Sequence, residues 1–66
     1  MIEVDIRGDQ FMCLMQRGTG FCDVLHSMGR LSAGDKVSEA GSVFEVDRVI
    51  EGDQMDRVWL KKRVAK

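Results

Sequence analysis

Residues 43–64 carry the pattern that most restricts how this chain folds. Val43–Ile50 and Met55–Val64 alternate on either side of Glu51-Gly52-Asp53-Gln54, which reads as a β-hairpin. Phe44 and Val46 share one face of the first run, Glu45 and Asp47 the other. In the second run Val58 and Leu60 share a face, and Arg57, Trp59, Lys61 and Arg63 share the opposite one. Two registers compete. With Glu51 opposite Gln54, the acids Glu45 and Asp47 fall opposite Leu60 and Val58. A slip of one residue places Ile50 opposite Asp56, Val46 opposite Leu60, Glu45 opposite Lys61 and Asp47 opposite Trp59. We adopt the slipped register, because burial selects the pairing that segregates apolar from charged faces. Opposite charges across the strands add to it. It leaves Arg48 opposite Val58 on the apolar face, where Arg48 must snorkel or a bulge must reset the phase. Gly52 or Asp53 is expected to be left-handed.

The remaining chain is read from the same periodicities. Ile2, Val4 and Ile6 alternate with Glu3, Asp5 and Arg7, the pattern of a half-buried strand. Gly8-Asp9 reads as a turn and the unbroken run Phe11-Met12-Cys13-Leu14-Met15 as a second strand, apolar on both faces. Phe21, Val24, Leu25 and Met28 recur at helical spacing, which predicts a short helix over 20–28. Thr19 would be its N-cap and Gly29 its terminating residue. Lys36–Glu39 reads as a short strand and Ala40-Gly41 as a turn. The tripeptide Gly8-Asp9-Gln10 returns as Gly52-Asp53-Gln54, with an acidic strand before each.

A chain of 66 residues is one domain, residues 1–66, and its core is thin. The expected core is Ile2, Val4, Ile6, Phe11, Cys13, Met15, Phe21, Val24, Leu25, Met28, Val37, Phe44, Val46, Val58 and Leu60. The acidic, alternating N-terminus lacks the basic and long apolar regions of a signal peptide. No stretch approaches the ~18 apolar residues of a spanning helix. A cytoplasmic location without a membrane partner is expected.

Chemistry is sparse. Cys13 and Cys22 form no disulfide framework and read as buried free thiols. His26, the only histidine, lies four residues after Cys22, but structural zinc takes four ligands in paired spacings. No metal, cofactor or small-molecule substrate is expected. A thiol inside an apolar run is poorly reactive, and Arg17-Gly18-Thr19-Gly20-Phe21 lacks the lysine and spacing of a phosphate loop. The chain is read as no enzyme.

Two surfaces remain. Phe11, Met12, Cys13, Leu14 and Met15 exceed what a thin core covers on both faces. Five methionines suit an adaptable apolar surface. The first reading is therefore a small non-enzymatic interaction module that self-associates, a dimer being favoured, or binds a protein partner. The alternative is a nucleic-acid-binding module. Residues 1–56 hold five Lys/Arg against eleven Asp/Glu, while residues 57–66 hold five Lys/Arg and no acid. Arg57, Trp59, Lys61 and Arg63 would offer phosphate contacts with one stacking ring. The preferred register opposes this, since Glu45 and Asp47 would neutralise that face.

Gly29-Arg30-Leu31-Ser32-Ala33-Gly34-Asp35-Lys36-Val37 resembles the Gly-Arg-Leu-x-x-Gly-Asp-x-Ile stretch of PDZ domains. The likeness spans nine residues, lacks the carboxylate-binding Gly-Leu-Gly-Phe loop, and carries no function over. The short strands with Gly-Asp turns also resemble small SH3-like barrels in architecture. The fold expected is α+β, a strongly curved antiparallel sheet of about five strands on one short helix in the order ββαβββ. An SH3-like small β-barrel is the alternative.

Overall fold

The computed structural model describes residues 2–39 and 41–62. Its elements run β1 (Ile2–Glu3), α1 (Gly8–Arg17), β2 (Thr19–Leu25), a single 3₁₀ turn (His26–Met28), β3 (Lys36–Glu39), β4 (Ser42–Ile50) and β5 (Met55–Lys62). The strands form one sheet in the order β1-β3-β4-β5-β2, curled into a half-barrel. The α+β class, the five strands, the single short helix and the strong curvature are as expected. Two features differ. The helix comes second rather than third in the chain, and the sheet is mixed because β1 lies parallel to β3. No helix among the described residues is long and apolar enough to cross a membrane.

Phe11–Met15 is not a strand. It lies inside α1, where Leu14 is buried, Phe11 and Met15 pack beside it, Cys13 is half-buried and Met12 is exposed. Positions 11, 14 and 15 form one helical stripe, so one partner surface covers what a strand would have had to bury on two sides. The helix starts with the Phe11 N–H on the Arg7 carbonyl (2.8 Å), while the Asp9 carboxylate accepts the Gln10 N–H (2.9 Å). An acid in the first turn also suits the helix dipole. Gly18 ends the helix at φ +81°, its N–H returned to the Leu14 carbonyl. That conformation favours glycine.

Residues 20–28 are not a helix. Gly20, Cys22 and Val24 point inward and the residues between them point outward, the period of a strand. Leu25 and Met28, expected in the core, are exposed, and Phe21 is only half-buried. Thr19 opens β2 instead of capping a helix, with its hydroxyl on the Leu60 carbonyl (3.4 Å). Gly29 follows the 3₁₀ turn at φ +127°. The stretch resembling PDZ domains forms a turn, in which the Ser32 N–H donates to the Asp35 carboxylate (2.8 Å), and then enters β3.

The C-terminal hairpin forms with the expected strands, and Val46 opposes Leu60 and Glu45 opposes Lys61. Closer to the turn the register changes. A bulge at Asp47 places Arg48 opposite Trp59, Val49 opposite Val58 and Ile50 opposite Arg57. Arg48 thereby leaves the apolar face and Val49 takes its place. Of the two residues expected to be left-handed, Gly52 or Asp53, Gly52 has no positive φ. A Cβ there would collide with the Met55 carbonyl oxygen, so close approach, not handedness, requires glycine. Residues 63 and 64, assigned to the second strand, lie outside the described residues.

The concave side of the sheet holds the core: Val4, Ile6, Leu14, Cys22, Val24, Val37, Phe44, Val46, Val58 and Leu60. Leu14 and Cys22 join the expected set. Phe11 meets Phe44 edge to face at 6.2 Å. The helix crosses β2 at Gly20, where an added Cβ would stand 2.8 Å from the Gln10 carbonyl oxygen and 3.0 Å from Leu14 Cγ.

Candidate functional site

The convex side of the sheet is uncovered at β2, β5 and β4. Alternation sends Phe21, Asp23 and Leu25 of β2 and Met55, Arg57, Trp59 and Lys61 of β5 to this side. The Asp47 bulge adds Arg48 and Ile50 of β4. Phe21 and Trp59 are direct cross-strand neighbours, with ring centroids 5.1 Å apart at a tilt of 53°. Such a pair contributes about 0.5–1.5 kcal/mol beyond its buried area. The Arg57 guanidinium lies over the Phe21 ring at 4.2 Å, and that of Arg48 over the Trp59 ring at 5.5 Å. The Trp59 indole N–H is buried and meets no protein acceptor among the described residues.

Acids are interleaved with these cations. Asp23 accepts from Arg57 Nε at 3.2 Å, and Glu45 lies 3.9 Å from Lys61. Arg48 has no carboxylate partner among the described residues. Toward the turn the face becomes apolar, with Leu25 opposite Met55 and Ile50 beside Arg57, all three apolar side chains exposed. A shallow depression there is bordered by Asp23, Ile50, Gly52, Met55 and Arg57.

Arg57, Trp59 and Lys61 thus share one face, as expected; Arg63 lies outside the described residues. Asp47 does not oppose Trp59, and Trp59 is not the only aromatic on its side, since reading 20–28 as a helix had hidden Phe21. The other candidate set, Phe11, Met12, Cys13, Leu14 and Met15, is divided by the helix into packed and outward positions, so no continuous five-residue surface exists.

A second constellation was missed. Asp56 has the parity of Val58 and Leu60, so β5 carries its carboxylate inward, where it is 2% exposed. It accepts hydrogen bonds from His26 Nε2 (2.8 Å), Arg30 Nε (2.8 Å) and the Gly52 N–H (3.3 Å). A carboxylate only accepts, so Nε2 carries the proton. Burial pushes the Asp56 pKa up, but the His26 and Gly52 hydrogen bonds and the Arg30 charge outweigh it, holding the carboxyl below its ordinary value. The cluster ties the β4–β5 loop, the 3₁₀ turn and the segment after it together. The signal was present in the sequence: one acid stands in an apolar alternation.

Cys22 and His26 share no helical face. Cys22 points into the core, where burial and the neighbouring Asp23 charge push its thiol up to about 11. A thiol so held is protonated at neutral pH and a weak nucleophile. Among the described residues no three His, Cys, Asp or Glu side chains converge as metal ligands. Compared with known proteins, the chain matches no family model, no curated protein and no solved structure.

Proposed function

We propose that this chain is a small non-enzymatic interaction module that pairs with a second copy of itself through the convex face of β2, β5 and β4. The Phe21–Trp59 pair, flanked by Arg48 and Arg57 and bordered by exposed Leu25, Ile50 and Met55, carries the reading. Aromatics, Met and Arg are the residue types enriched at interface cores, and Trp and Arg are the commonest anchors. The face holds both charge signs, Asp23 and Glu45 among Arg48, Arg57 and Lys61. A two-fold interface requires such self-complementarity, because each patch meets its own copy. Free Cys13 and Cys22 suit a reducing compartment such as the cytoplasm.

Light scattering over a concentration series tests this. A dimer is expected, and Ile50→Asp with Met55→Asp is expected to make it monomeric, since both residues are exposed and outside the core. A monomer throughout would overturn the reading. Nucleic-acid binding is the second reading, favoured because Phe21 gives Trp59 a stacking companion. Quenching of Trp59 by single-stranded DNA or RNA at low salt, lost in Arg48→Ala with Arg57→Ala, would support it in place of pairing.

A further inference from the structure

The half-barrel leaves an open seam. β1 and β2 are the two edges of the sheet, and no strand pairing joins them among the described residues. A groove between them is bordered by Glu3, Val4 and Asp5 on one bank and Asp23, Val24 and Leu25 on the other. Met28 stands at its rim, 58% exposed.

The Gly18 carbonyl accepts the Lys62 N–H, and the His26 N–H donates to the Gln54 carbonyl. Even-numbered residues of β2 therefore bond to β5, and odd-numbered ones turn their N–H and C=O outward. Phe21 shows where these groups point, since its N–H donates to the Gln10 side chain at 3.1 Å, beneath α1. Asp23 and Leu25, farther along, have no such cover, and their outward N–H groups meet no acceptor among the described residues. On the opposite bank the Val4 N–H donates to the Ser38 carbonyl (2.8 Å). Val4 thus faces β3, and alternation turns the backbone of Glu3 into the seam, which Asp5 also borders beyond the end of β1. Edges with unmet backbone groups on both sides of one groove are the setting for strand addition.

The side chains specify what fits. Glu3, Asp5 and Asp23 point outward along the banks, and Glu39 borders the adjoining end of the groove. Val4 and Val24 point inward to the core. A strand lying between them would set its outward side chains beside carboxylates and its inward ones beside valines. Cross-strand neighbours of opposite charge attract.

We propose that the seam between β1 and β2 accepts an extended peptide of a partner protein, alternating basic and apolar residues, as a sixth strand that closes the barrel. The seam shares Asp23 and Leu25 with the border of the convex face but uses their outward backbone groups and not the Phe21–Trp59 pair, so a monomer by light scattering would overturn the proposed pairing and leave this one intact.

The test is a titration of the ¹⁵N-labelled full chain with a short alternating Lys-Val peptide, with a Glu-Val peptide as control. Amide shifts and slowed exchange are expected at Asp23, Leu25, Glu3 and Asp5, with the Glu-Val peptide inert and the Lys-Val binding weakened by salt. Leu25→Pro removes one outward N–H and leaves the β5 ladder untouched. The Leu25 φ of −63° already suits proline. Binding is expected to weaken about tenfold in this variant. Glu3→Lys with Asp5→Lys, both exposed positions, is expected to abolish it and serves if the proline variant fails to fold. No shifts, shifts confined to the Trp59 face, equal binding of the Glu-Val peptide, or binding unchanged in a folded variant would overturn the proposal.

Discussion

Gly20 and Asp56 show how single residues hold this chain together. Gly20 lets α1 sit directly on β2, and a methyl group there meets backbone on one side and the fully buried Leu14 on the other. Gly20→Ala is expected to cost roughly 1–3 kcal/mol by overpacking, read from urea denaturation. Gly8→Ala, where nothing lies within 4 Å of the new Cβ, is expected to be neutral or mildly stabilising. Asp56 makes stability depend on pH. Its folded pKa lies below its ordinary value of 3.8, so the contribution is fully present above that value and is lost as pH falls below it. Urea midpoints measured downward from pH 5 are expected to drop more steeply for the native chain than for Asp56→Asn, which cannot titrate. Parallel slopes would remove Asp56 from the acid response.

The elements show where local pattern yields to packing. Gly-Asp-Gln starts α1 at 8–10 and turns a hairpin at 52–54. What differs is the continuation: a stripe at 11, 14 and 15 in one case, a strict alternation in the other. The β4–β5 pair shows the converse, since both halves of its register obey segregation of faces and Asp47 is the residue left over between them. Deleting Asp47 therefore leaves a continuous ladder, with Val46 opposite Leu60 followed by Arg48 opposite Trp59. The deletion variant is expected to fold and to keep the cross-strand Val49–Val58 contact, observable by nuclear Overhauser effects. Its loss, with Arg48 turned inward, would show that the bulge itself maintains the register. The error over 20–28 was one of period: four apolar residues at helical spacing outweighed the alternation of Gly20, Cys22 and Val24.

At the scale of the molecule, the core, ten buried hydrophobic residues among those described, depends on a segment with little regular structure of its own. Val4 and Ile6 reach it from beyond the two-residue strand β1. Burying a Val or Ile side chain contributes about 1.5–3 kcal/mol, and total stability of small domains is about 5–15 kcal/mol. Removal of residues 1–6 is expected to abolish cooperative thermal unfolding followed by circular dichroism. What the sequence determined by itself was everything carried by neighbouring residues on one face: the hairpin, the inward set Phe44, Val46, Val58 and Leu60, the α+β class, and the shared face of Arg57, Trp59 and Lys61. Only the tertiary structure decided that Phe11–Met15 is a helix, that Phe21 joins Trp59, that Asp56 is buried against His26 and Arg30, and that no strand pairing joins β1 to β2 among the described residues. The inward parity of Asp56 is legible in β5, but its partners, like the surface that α1 covers and the companion of Trp59, lie far away in the chain, and periodicity along a chain holds no record of which surfaces will meet.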